Sequence, residues 1–95
     1  MITPKQRAVL RGMANTINPI FQIGKGDVGD TLIESVDEAL ERRELIKLSI
    51  LETANVTAKE ATNAIAERTG ADIVQCIGRR FVLYRESEKH KTIEL

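Results

Sequence analysis

The sequence has no tryptophan, one tyrosine and two phenylalanines. Its core must therefore be aliphatic, and it lacks the aromatic platform on which many proteins stack unpaired bases. A single cysteine, Cys76, permits no internal disulfide and no cysteine-based zinc site. Its place in an alternating segment reads as a buried structural thiol. The single histidine, His90, stands in a charged stretch and is expected in solvent. No Ser/His/Asp or Cys/His set can be assembled, so the chain reads as non-catalytic, with no cofactor and no small-molecule substrate expected. No apolar run approaches the roughly 20 residues of a membrane span. Met1 to Arg11 is polar and basic with no apolar stretch after it, unlike a secretory signal. No membrane partner and a cytoplasmic location are the expectation. Net charge is also missing: 14 basic residues balance 14 acidic ones. That excludes a uniformly basic nucleic-acid binder and an acidic tail protein.

What is present fits one domain of 95 residues with ordinary globular composition. Thr3-Pro4 opens a helix, with Thr as N-cap and Pro at the first position. Gln6, Val9, Leu10 and Met13 share one face of it, and it stops near Ala14. Ile20–Ile23 reads as a short strand, followed by the glycine-rich stretch Gly24–Gly29. Asp30 can cap a second helix running to about Arg43, with Leu32, Ile33, Val36, Ala39 and Leu40 at helical spacing. Leu45–Leu51 alternates as a strand, with Ile46, Leu48 and Ile50 on one face and Lys47 and Ser49 on the other. Thr57-Ala58-Lys59-Glu60 is a capping box, and Gly70 is a natural stop for the helix it begins. Ile73–Ile77 and Arg80–Arg85 are strands joined by a Gly78-Arg79 turn. Residues 86–95 read as a charged tail that frays.

Helix-strand-helix-strand-helix-strand-strand predicts an α/β protein of the two-layer α+β type. Strands linked through helices should be parallel, and the last hairpin adds one antiparallel strand to a four-stranded mixed sheet.

Charge is unevenly spread along this order. Residues 1–26 carry +4, residues 27–67 carry −6 and residues 68–95 carry +2. In the expected topology the Gly24–Gly29 stretch and the Gly78-Arg79 turn leave the sheet at one edge. The first half of helix one, and the starts of helices two and three, should reach the same edge. Lys5, Arg7, Lys25, Arg79 and Arg80 would then converge, with Arg11 extending the patch, where helix N-termini favour an anion. The bland alternative is a set of solvated cations and a hairpin turn protected from edge pairing.

The glycine stretch allows three readings. Gly24-x-Gly26-x-x-Gly29 formally matches a dinucleotide fingerprint, with Glu52 at the end of the next strand, but the further parallel strands that motif needs are lacking. Gly24-Lys25-Gly26-Asp27 suits a G-x-x-G clamp that lets the backbone approach phosphates. A plain strand-to-helix connection is the third.

Longer stretches carry a resemblance. Thr3-x-Lys5-Gln6-Arg7, Pro19 through Gly26, Ala39-Leu40-Glu41-x-Arg43-Glu44-Leu45-Ile46-Lys47, and Val74-Gln75-x-Ile77-Gly78-x-x-Phe81-Val82-Leu83-Tyr84-Arg85 together resemble the CRM (chloroplast RNA splicing and ribosome maturation) domain family. Within it they are similar to the stand-alone bacterial YhbY-like members. The resemblance implies a fold like the C-terminal domain of the third bacterial translation initiation factor. It implies RNA as partner and association with precursors of the large ribosomal subunit. The family's G-x-x-G loop falls on Gly24, Lys25, Gly26 and Asp27, with Asp27 standing where a second glycine is typical. Joined to the basic residues that the expected topology brings together, this loop gives the expected RNA-binding set Lys5, Arg7, Arg11, Gly24, Lys25, Gly26, Asp27, Arg79 and Arg80. A second functional reading is a protein-docking surface on the acidic second helix, around Asp37, Glu38 and Glu41, which otherwise reads as a solvated face.

Overall fold

A computed structural model describes residues 1–24 and 28–95. The elements are α1 (Pro4–Ala14), β1 (Phe21–Ile23), α2 (Asp30–Arg43), β2 (Leu45–Ile50), α3 (Ala58–Thr69), β3 (Asp72–Ile77) and β4 (Arg80–Tyr84). This is the order expected from the sequence. Local chemistry sets the boundaries. The Gln6 N–H donates to Thr3 Oγ1 at 3.1 Å, and the Thr3 N–H donates back to Gln6 Oε1 at 2.9 Å. Thr57 and Glu60 repeat that reciprocal cap on α3 with the same two distances. Gly70 ends α3 in the left-handed region, at φ +73°. Gly78 supplies φ +60° at the first position of the β3–β4 turn. Asp30, expected as a cap, is instead the first helical residue of α2. Gly29 is the N-cap, with no side-chain hydrogen bond, and Asp30 is held by Arg68 at 2.6 Å.

The sheet order is β1-β2-β4-β3. β1 and β2 are parallel, and β4 runs antiparallel to both β2 and β3. The last strand of the chain is thus inserted in the interior of the sheet. A bulge between Ile73 and Gln75 bends β3.

Helices pack on both faces of the sheet, α2 and α3 on one and α1 over part of the other. Ile46, Leu48, Ile50, Phe81 and Leu83 face α2 and α3, meeting Val36, Leu40 and Ile65 in an aliphatic core. Leu45, Val74, Val82 and Tyr84 point the opposite way, onto Leu10 and Ala14 of α1. The period-2 alternation of β2 and β4 produces this split directly. On α1 the buried stripe is Leu10 and Ala14, whereas Val9 and Met13 stay 50% and 39% exposed.

Two further expectations are corrected. Cys76 is exposed on edge strand β3, with the Thr62 hydroxyl 3.6 Å from its sulfur, and is not a core thiol. The stretch after β4 is docked, not frayed: Ser87 and Ile93 are buried. Glu44 causes this. It leaves α2 at φ +65°, a strained conformation for a side chain with a Cβ, and turns a fully buried carboxylate inward. Ser87, Thr92 and Ile93 donate their backbone N–H groups to that carboxylate at 2.8, 2.7 and 2.9 Å. Glu41 accepts the Ser87 hydroxyl at 2.6 Å and the Lys89 N–H at 3.1 Å.

Candidate nucleic-acid interface

The end of the sheet where β1 and β2 finish is built by backbone. The Leu51 N–H donates to Ile23 O and the Ile50 N–H donates to Arg79 O, both at 2.8 Å. These bonds bring Gly24, Leu51 and the Gly78-Arg79-Arg80 turn together. Thr57 and Ala58, at the start of α3, line a hollow with Gly78 and Arg79. Arg79 lies 3.5 Å from Glu52, and both side chains are largely exposed. A Cβ built on Gly24 would meet Leu51 Cδ1 at 3.7 Å, an ordinary contact, and Gly24 is not among the positive-φ glycines. Among the described residues, neither φ nor packing demands a glycine there.

Of the predicted set, Gly24, Arg79 and Arg80 therefore meet as expected. Lys25, Gly26 and Asp27 lie outside the described residues. Lys5, Arg7 and Arg11 do not join the group. The Met1 ammonium sits 3.9 Å from Asp72, at the start of β3, and Ile2 and Gln6 line a hollow with Gly70, Asp72 and Tyr84. At its other end α1 delivers Met13 and Ile17 beside Arg43 and Leu45. The helix thus crosses the end of the sheet where β2 and β3 begin, and its first turn stays far from the glycine-bearing end. The start of α2 is likewise tied to the last turn of α3 through Asp30 and Arg68.

Because α1 covers only one end, the other end of that sheet face is open. Gln22, Ser49, Arg80 and Ile77 form one register row across all four strands. Gln22, Arg80 and Ile77 are exposed and Ser49 is half-buried. Lys47 sits two residues before Ser49 on the same face. Sequence reasoning had Lys47 and Ser49 on the right face but did not assign them to the site. What it lacked was where α1 stops.

The acidic α2 surface is largely engaged within the chain. Arg85 binds Asp37 Oδ1 at 2.5 Å and the Thr69 carbonyl at 2.7 Å, joining α2 to α3. The Ser87 hydroxyl, with the Lys89 and Glu88 N–H groups, holds the Glu41 carboxyl down to about 2 from its ordinary 4.5. Burial pushes Glu44 up, but the N–H groups of Ser87, Thr92 and Ile93 outweigh it, and its carboxyl also lies below the ordinary value. Among the described residues no group of three or more His, Cys, Asp or Glu side chains could hold a metal ion. No helix of the described residues is long and apolar enough to cross a membrane.

A mixed four-stranded sheet, with glycine and arginine turns meeting at one end, is the setting for the comparison with known proteins. The chain belongs to the CRS1 / YhbY (CRM) domain family, whose model matches residues 2–85. It is 44% identical over 95 residues to "Probable RNA-binding protein YqeI" of Bacillus subtilis (strain 168), covering 100% of this chain and 99% of that one. A protein of Haemophilus influenzae named "RNA-binding protein" is 34% identical over 90 residues, covering 95% and 91% of the two chains. The solution structure of SAV1595 from Staphylococcus aureus matches with a TM-score of 0.81 and 45% identity, over 100% of this chain and 99% of that chain.

Proposed function

We propose that this protein is a non-catalytic RNA-binding protein that acts in the cytoplasm on ribosomal RNA of large-subunit precursors. One observation carries the RNA reading: Gly24, a glycine that neither φ nor packing requires, lies at the same sheet end as Arg79 and Arg80. A bare backbone beside two guanidinium groups is suited to phosphate oxygens, which accept both N–H and guanidinium donors. Relatives spanning nearly the whole chain are named as RNA-binding proteins. Assignment to large-subunit precursors extends the resemblance noted in the sequence. The docking reading for α2 is weaker, because Asp30, Asp37, Glu41 and Glu44 already hold other parts of the chain.

The test is the triple reversal Lys25→Glu, Arg79→Glu, Arg80→Glu. RNA binding is expected to be abolished while the urea midpoint stays close to wild type; unchanged affinity rejects the site. Wild-type affinity should fall steeply with salt, as counterion release demands. Crosslinking in cells followed by sequencing of the bound RNA tests the ribosomal assignment, and enrichment of unrelated transcripts rejects it.

A further inference from the structure

The open part of the α1 face continues into a groove of about 780 Å³. Its walls are apolar, from Met13, Ile17, Ile20 and Leu45. Thr16 and Asn18 add polar groups to its lining, and Arg43 and Lys47 add positive charge. A second hollow, containing Gln22, Ser49 and Arg80, shares Ile20 with the first. Neither hollow is lined by a carboxylate. Among the described residues Arg43, Lys47 and Arg80 are in no ion pair, whereas Arg68, Arg79 and Arg85 each are.

We infer that this track binds an unpaired segment of RNA, with a base in the apolar groove and flanking phosphates on Arg43, Lys47 and Arg80. The inference rests on the RNA-binding reading and deepens it. Each part of a nucleotide meets its chemical complement. The aliphatic walls cover the faces of a base, the Asn18 amide offers a donor and acceptors to its edge, and the cations take phosphates. The groove supplies apolar contact without aromatic rings, so the shortage of aromatics excludes a stacking platform but not base contact. An acidic peptide would match the groove's charge, but the track leads on past Ile20 to a polar row ending at Arg80, which suits a repeating anionic backbone better than one docked side chain. A base-paired helix cannot insert a base into the groove, so the site discriminates single from double strands.

The experiment follows methyl signals of isotope-labelled full-length protein during titration with single-stranded hexauridylate, a blunt RNA duplex, and a leucine-containing polyglutamate peptide. Hexauridylate should shift the methyls of Ile17, Ile20 and Leu45, and the duplex should leave them in place. Arg43→Ala with Lys47→Ala should weaken hexauridylate binding about tenfold and reduce its salt slope by about 1.4, the value for two lost single-strand phosphate contacts. Arg43→Ala alone, at an exposed helix end, should give about half that slope change and guards against a folding defect in the double variant. Hexauridylate binding with unmoved groove methyls overturns the inference, as does a peptide that moves them when RNA does not. If duplex still binds in a manner sensitive to Arg79, which lies outside the track, the RNA-binding reading survives that result; if neither RNA binds, both fall.

Discussion

The two faces of the sheet are built from alternate residues of the same strands, yet they have different work. Toward α2 and α3 the strands present Ile46, Leu48, Ile50, Phe81 and Leu83, and two helices seal them. Toward α1 they present the pair Leu45 and Tyr84 at one end, the pair Lys47 and Val82 in the middle and the pair Ser49 and Arg80 at the other end, and a single helix covers only the apolar end. One face therefore stabilises the fold, while half of the other is left uncovered. This division reconciles the proposed RNA role with a net charge of zero. Acids are spent on internal anchors along α2, and among the described residues the hollows of the open half-face are lined by cations without acids.

The largest effect is expected at the sealed face. Phe81→Ala removes a fully buried side chain and should cost about 3–5 kcal/mol, a large part of the total stability of a domain this size. Urea unfolding measures it. Arg43→Ala, at the exposed end of α2, should leave the midpoint within about 0.5 kcal/mol of wild type.

Next comes the anchor at Glu44. Glu44→Gln retains the shape but removes the charge that accepts three backbone N–H groups, and should cost about 1.5–3 kcal/mol. Hydrogen exchange at Thr92 and Ile93 should accelerate well before exchange in β2 and β4 does.

The same anchor predicts an acid response. Glu41 and Glu44 are both held below the ordinary carboxyl value, so their contribution is fully present above about pH 4.5. It is lost as pH falls toward about 2, where Glu41 titrates in the folded protein. Amide exchange of residues 87–93, measured across that range, should lose protection on the acid side only.

The smallest stability effects come from two glycines at the same end of the sheet. Gly78→Ala meets open space but must hold φ +60°, and should cost about 1–2 kcal/mol in thermal unfolding. Gly24→Ala carries no such strain and should be neutral in stability within about 0.5 kcal/mol while weakening RNA binding. A loss of stability at Gly24 would show that the glycine serves the fold, and would remove the observation on which the interface rests.

Which parts were legible in the sequence follows from how local their causes are. The Thr57–Glu60 cap, the Gly70 stop and the Gly78 turn involve residues a few positions apart, and all three stand as expected. The path of α1 was not legible. Its loop allowed the helix to run back along β1, and only the fit of Leu10 and Ala14 onto Val82 and Tyr84 settles where it crosses. The role of Glu44 was hidden for a similar reason, since its partners lie 43 to 49 residues away and its own neighbours suggest a solvated helix end. Cys76 misled because alternation tells which face a strand residue occupies, not that its strand lies at the edge of the sheet.

The position of β4 has a consequence for how the molecule is made. The strand that joins β2 to β3 is translated after both of them. Until it emerges, β1 and β2 have no strand to join them to β3, β3 has no neighbouring strand, and Glu44 has none of the later residues it anchors. The aliphatic core is split between the two halves. A nascent chain stopped before residue 80 is therefore expected to be open, protease-sensitive and dependent on its surroundings. Closure then comes as a single late event, in which β4 enters between its neighbours and the following residues fasten onto Glu44.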